Sequence, residues 1–192
     1  MLFKKEFKSD KPYSGFWGKL YLTKLQRKGL LKWSLYALLL LVLSLLQDVV
    51  LCRFRLFGAT TELVPVCIFL ICILEGAETG SVFALIASLL YLFSGTAAGP
   101  YSMVFITAIA IAVTVFRQAY LQKGLGAAVL CAACAMLGYE LLQFCMGLFL
   151  GLTIPQRFIG FVVTALLSSL TVPLLYPVAL SIEAIGGETW KE

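Results

Sequence analysis

Histidine does not occur anywhere in the 192 residues. Its absence excludes Ser-His-Asp and Cys-His catalysis, His-ligated metals and imidazole proton relays. Charge is scarce as well. Asp, Glu, Lys and Arg together make up 13% of the chain and apolar residues 61%, whereas a soluble domain carries roughly 25% charge and about 45–50% apolar residues. Water cannot solvate a surface built from that composition, so lipid must cover most of it. No GxSxG, Walker A or HExxH motif and no suitably placed carboxylate pair is present, so no enzymatic activity, cofactor or metal is expected. The length suits one compact domain, without a fixed-period repeat or a low-complexity linker.

The charge that is present lies mostly at one end. Residues 1–32 hold nine of the fifteen Lys and Arg against only Glu6 and Asp10, while residues 33–192 hold six against eight acids. A basic block beside a hydrophobic segment reads as a cytoplasmic anchor to anionic lipid or as a tail that satisfies the positive-inside rule. Nucleic acid is the weaker reading. Lys24 and Arg27 fall on the same side of a helical wheel as Leu20, so this stretch is no clean amphipathic helix. The apolar run starts only near Trp33, without a small-residue cleavage site, so the tail is expected to stay attached. Of the six cysteines, Cys131 and Cys134 form a CxxC. It lies in an apolar run without polar neighbours or a second metal pair, so the cysteines are expected to act as small hydrophobes.

A hydrocarbon core of about 30 Å needs about 20 helical residues, which converts apolar runs into a span count. The first span runs from Lys32 to Leu51, with Gln47 and Asp48 near its far end. Leu63–Leu74 is twelve uncharged residues and reaches spanning length only by extending back through Glu62 toward Phe57. Thr79–Phe116 has 38 uncharged residues, too many for one crossing, and Ser94-Gly-Thr-Ala-Ala-Gly-Pro100 supplies a turn in its middle. Gly124–Leu150 is the fifth span and Phe158–Ile182 the sixth, bent near Pro173 and Pro177.

Six crossings put both termini on one side, which twelve inner against three outer Lys and Arg mark as cytoplasmic. Five crossings, with 63–93 as one broken element, would put Arg117 and Lys123 outside. The expected fold is therefore all-α, a polytopic bundle of six transmembrane helices over residues 33–185. A basic tail (1–32) precedes it and a short tail (186–192) follows. Short connections predict that neighbouring helices pack antiparallel.

Ionisable groups inside a membrane are rare and usually functional or paired. Asp48, with Gln47, and Glu75, with Glu78, lie at helix ends, where water is expected to reach them. Glu140 is the deepest acid, near the middle of the 33-residue stretch Gly124–Gln156. Gln143 lies one turn on and shares its face. The pair Glu140 and Gln143 is a possible intramembrane polar site, whether for a structural hydrogen bond, a partner contact or transport. Small residues four apart recur, at Gly76/Gly80, Ala108/Ala112, Ala128/Ala132, Cys134/Gly138 and Gly147/Gly151. Such patterns allow close helix approach, within the bundle or between proteins.

The stretch Leu45-Leu-Gln-Asp-Val-Val-Leu-Cys-Arg-Phe-Arg-Leu-Phe-Gly-Ala-Thr-Thr-Glu-Leu-Val-Pro65, then Glu75-Gly-Ala-Glu-Thr-Gly80 and Leu92-Phe-Ser-Gly-Thr-Ala-Ala-Gly-Pro100, resembles the bacterial rod shape-determining MreD family. The order matches: a Leu-Gln pair ending the first span, a Leu-Phe-Gly re-entry followed by an acid and Leu, a Gly-containing inner turn, and a Ser-Gly outer turn. The chain departs from the family at Tyr91, where an Asp is common, and in its longer basic tail.

The resemblance implies a non-enzymatic scaffold of the cell-elongation machinery in the bacterial inner membrane. It would bind an MreC-like bitopic membrane protein and, indirectly, MreB and the RodA/penicillin-binding synthase pair. Contact residues carried over from the matching motif are Gln47, Asp48, Phe57, Gly58, Glu62, Gly95 and Gly99. The MreD family is also similar in fold to the substrate-binding subunits of energy-coupling-factor vitamin transporters, which supplies the alternative. Here the first helix offers Ser34, Ala37 and Ser44 rather than an Ala-xxx-Ala run.

Overall fold

The computed structural model describes residues 24–53, 59–120 and 124–185, and within them the regular structure is helical. Helix α1 spans Lys24–Val49, α2 Leu63–Glu75, α3 Ala77–Phe93, α4 Tyr101–Tyr120, α5 Leu125–Phe149, α6 Phe158–Leu170 and α7 Val172–Ile185. Short 3-10 turns follow α1 (Leu51–Arg53) and precede α6 (Pro155–Arg157).

Helix α2 forms the axis of the bundle. It is apolar all round, a pattern that can only be satisfied by burial, and each of its thirteen residues is buried. Pro65 is tolerated because the first-turn N–H it lacks has no intrahelical partner. The other helices surround α2. Helix α1 packs on α2 and α7, α3 on α2 and α4, α4 on α5, and α5 on α6 and α7. Helix α1 turns the stripe Lys32, Tyr36, Leu40, Leu43 and Gln47 inward, a three- and four-residue spacing that follows one helix face. Helix α4 does the same with Ser102, Ile106, Ala110, Thr114 and Arg117. Small residues let α3 lie close against α2. A Cβ added to Gly80 would come within 3.0 Å of the Cys72 Cα, and the Cys72 thiol donates to the Gly80 carbonyl. Gly76, at φ 95°, makes the one-residue link between α2 and α3.

Leu, Val, Ile and Phe side chains are exposed on the outward faces of α1, α3, α5 and α6. Such a surface is stable only in hydrocarbon, and the chain is a membrane protein. Helices α1, α4 and α5 are long and apolar enough to cross a bilayer, and α6 with α7, bent by 46° at their junction, reaches that length and apolarity only as a pair, which brings the candidate spans to three or four. At 1.5 Å per residue, α2 and α3 are about 20 and 26 Å long.

The helix boundaries revise two expectations. Helix α1 starts at Lys24, inside the stretch assigned to the tail; the rest of that tail lies outside the described residues, as do Phe57 and Gly58. The second apolar element does not extend back through Glu62 as helix: Glu62 is extended (φ −99°, ψ 97°) and the helix begins at Leu63. The bend expected near Pro173 in the last apolar run matches the 46° break at Thr171, because Pro173 has no N–H for the carbonyl of Ser169 and its ring crowds that turn. Pro177 is accommodated within α7. The expected division of Thr79–Phe116 at Ser94–Pro100 matches the gap between α3 and α4.

Candidate functional site

Polar groups gather at the two ends of the bundle. At the end where α1 begins, the Lys32 ammonium sits 2.6 Å from Glu75 Oε2, and the Tyr36 hydroxyl donates to Glu75 Oε1 at 2.8 Å. Lys32 and Glu75 are 3% and 5% exposed. Glu75 is therefore not the water-facing helix-end acid expected from its position; its partner comes from the basic block. Glu78, on the next helix, is exposed as expected. The Arg117 guanidinium donates to the Ile73 carbonyl, near the C-terminal end of α2 where carbonyls lack intrahelical partners.

At the opposite end, the start of α2 is capped by side chains from other helices. Oε1 of Gln47 accepts from the Leu63 and Val64 N–H groups at 2.8 and 3.0 Å, and the Ser168 hydroxyl of α6 accepts from the Glu62 N–H at 2.8 Å. Pro65 has no N–H, so all three donors at this helix start are thus satisfied without a local capping residue. On α5, the Gln143 amide nitrogen donates to Ser102 Oγ at 2.9 Å and to the Tyr139 hydroxyl at 2.8 Å.

Of the residues assigned as partner contacts, the described ones, Gln47, Asp48, Glu62, Gly95 and Gly99, lie at this second end with different surroundings. Gln47 is buried and its amide oxygen is engaged within the bundle; Asp48 and Glu62 are partly exposed. Gly95 and Gly99 shape the turn between α3 and α4. Gly95 is exposed with φ +78°, a conformation glycine adopts without strain, and a Cβ at Gly99 would lie 2.6 Å from the Tyr101 ring. Glu140 and Gln143 are both buried on the inward face of α5.

Two small-residue readings also resolve. Gly147-Leu-Phe-Leu-Gly151 is a helix stop rather than a helix face. Gly151, at φ +70°, lies past the end of α5, and the Leu152 N–H returns to the Gly147 carbonyl, as in a Schellman motif. In the CxxC, Cys131 is buried and Cys134 exposed, and both are free thiols.

A feature without a simple sequence signal is the apolar groove between α1 and α3, with α2 at its base. Its volume is about 830 Å³. Ala37, Leu41, Ser44 and Leu45 line one wall, and Val82, Ile86 and Leu90 the other. The groove runs from Glu78 and Thr79 at one end to Tyr91 at the other. Trp33 and Tyr36 of α1 pack against Phe83 of α3 with ring centroids 5.6 and 6.0 Å apart, closing it toward the Glu78 end. A second cavity, of about 160 Å³, lies among Gly151–Ile154 and Arg157.

No protein-family model, curated protein or solved structure matches this chain.

Proposed function

We propose that this chain is a non-catalytic membrane scaffold of the MreD kind. On this reading it sits in the bacterial inner membrane with six crossings and both termini cytoplasmic, and it docks the single transmembrane helix of an MreC-like bitopic protein in the α1/α3 groove. The groove is the observation that carries the reading. Its walls are almost wholly apolar along most of the length of α3, so its occupant is hydrocarbon-soluble. Ala37 and Ser44, seven residues apart on α1, provide the small-residue surface that lets a partner backbone approach closely.

Charge fixes the partner's direction. Glu78 is the exposed carboxylate at the groove's cytoplasmic end. A bitopic protein with a cytoplasmic N-terminus carries Lys or Arg just before its membrane helix, placing a cation opposite Glu78. The six-crossing count takes α2 and α3 as short spans: α2 is shielded from lipid, so it need not match the hydrocarbon thickness alone. Neither the partner nor its coupling to MreB and the RodA/penicillin-binding synthase pair calls for chemistry from this chain.

The vitamin-transporter alternative requires a ligand cavity toward the outer end. The cavity there, about 160 Å³, is below the 300–1,000 Å³ usual for small-molecule sites and lends that reading no support. The test is purification from native membranes. Recovery of a bitopic wall-elongation protein with no small molecule supports the scaffold; a bound vitamin identified by mass spectrometry, with ATPase subunits co-purifying, overturns it.

A further inference from the structure

The aromatic end of the α1/α3 groove also carries its charge. Trp33, Glu78, Thr79 and Phe83 all line the groove, and Glu78 is the one charged side chain among its described lining residues. Glu78 is exposed and has no ion-pair partner among the described residues. The cation next to the groove in sequence, Lys32 directly before Trp33, is engaged elsewhere: its ammonium lies 2.6 Å from Glu75 Oε2, and the residue is 3% exposed. The Thr79 hydroxyl is engaged too, donating to the Glu75 carbonyl at 3.1 Å.

The two rings are held from behind. Tyr36 is fully buried, donates its hydroxyl to Glu75, and sets its ring 5.8 Å from Trp33 and 6.0 Å from Phe83. Trp33 and Phe83 stay half-buried, their centroids 5.6 Å apart with planes tilted by 35°. A group stacked between two rings needs about 7–8 Å, so a ligand meets their groove-facing sides instead. Glu78 and Phe83 are separated by about 7.5 Å of helix rise, a distance that an extended arginine side chain covers with its head on the carboxylate and its stem along the rings.

An apolar groove that ends in one acid and two aromatic faces fits a cation carried on an apolar body. Chemistry discriminates between the two basic side chains. A lysine ammonium is a compact, strongly hydrated point charge, whereas a guanidinium is planar and weakly hydrated, and it stacks on aromatic faces while donating to a carboxylate. We propose that Trp33, Phe83 and Glu78 form a clamp for an arginine at the end of the membrane helix docked in the groove. The clamp rests on the docking reading and adds to it the side chain that fixes the register of the bound helix. Tyr36 is a positioning residue that backs both rings, and the buried Lys32–Glu75 pair keeps the chain's own cation from neutralising Glu78.

The test reconstitutes the full-length protein in phosphatidylcholine vesicles with a synthetic alanine–leucine membrane helix of about 20 residues, preceded by a single Arg, Lys or Gln. Energy transfer between dyes on the protein and the helix reads association. The Arg helix is expected to bind the wild type at least about tenfold tighter than the Gln helix and about threefold tighter than the Lys helix. Glu78→Gln is expected to remove most of the preference for Arg over Gln. Trp33→Leu and Phe83→Leu are expected to remove the preference for Arg over Lys and to keep the preference for a cation. Equal binding of the three helices to the wild type overturns the clamp and leaves groove docking standing, as does binding of Lys as tight as that of Arg, or an Arg preference that survives all three substitutions. Failure of every helix to bind removes the docking reading and the clamp with it. The wild-type comparison decides without any variant having to fold.

Discussion

Lys32, the last cation of the basic block, makes a 2.6 Å ion pair with Glu75 at the C-terminal end of the central helix, and both side chains are almost wholly buried. This contact fastens α1 to α2 at one end of the bundle, and Tyr36, one turn along α1, adds a hydrogen bond to the same carboxylate. Breaking a buried pair from one side leaves a charge without compensation, which costs about 3–5 kcal/mol. Lys32→Met is therefore expected to lower stability by that order in mixed-micelle denaturation. Adding Glu75→Gln should recover much of the loss, since the stranded charge is removed. Equal destabilisation by the single and double variants would show that the pair is not the coupling element.

Gln47 is expected to matter as a cap. Gln47→Leu orphans the N–H groups of Leu63 and Val64, costing about 1–3 kcal/mol. Hydrogen exchange at those two amides should quicken relative to amides in the middle of α2. Gln47→Glu keeps an acceptor oxygen and should protect them better than Leu. Unchanged exchange in Gln47→Leu would mean that the start of α2 is satisfied in another way.

Two glycines, one within α5 and one just past its end, separate conformational need from mere occurrence. Gly151 is left-handed at φ +70°, so Gly151→Ala is expected to cost about 1–2 kcal/mol. Gly126 lies within the helix with open space around its Cα, and Gly126→Ala is expected to be neutral or to stabilise by up to about 1 kcal/mol. Thermal unfolding of the two variants side by side reads the difference.

The groove makes a prediction about binding rather than folding. Ala37 and Ile86 are exposed on facing walls. Ala37→Trp and Ile86→Trp should fill the groove, leave the unfolding midpoint within about 0.5 kcal/mol of wild type, and weaken recovery of the bitopic partner at least about tenfold. The same substitution at Leu166, exposed on α6, should leave recovery unchanged. Loss of partner from the Leu166 variant, with retention in the other two, would move the interface to the opposite face.

Much of the architecture was legible in composition and run length. Long apolar stretches became α1, α4 and α5 because a spanning helix needs nothing beyond length and hydrophobicity, and the Ser94–Pro100 turn carries its own chemistry. The rest depended on tertiary contacts. Leu63–Leu74 reads as a span that is too short, whereas its uniform apolarity means burial on all sides, and a helix hidden from lipid can be short. Glu75 reads as a helix-end acid because its partner, Lys32, lies 43 positions away within a block of otherwise similar cations. Gln47 was singled out by motif, but its role as a cap for α2 appears only once α1 is packed against that helix. Glu140 and Gln143 were visible as polar residues in an apolar run; that the Gln143 amide nitrogen is spent on Ser102 and Tyr139 is something a linear reading does not reveal.

Site-specific photo-crosslinking in living cells tests the central claim most directly. A photoreactive residue placed at Ala37 or Ile86 should give one dominant adduct, to the membrane helix of a bitopic wall-elongation protein, and the same residue at Leu166 should give none with that protein. Adducts to lipid alone from the two groove positions, or equal adducts from all three, would contradict it.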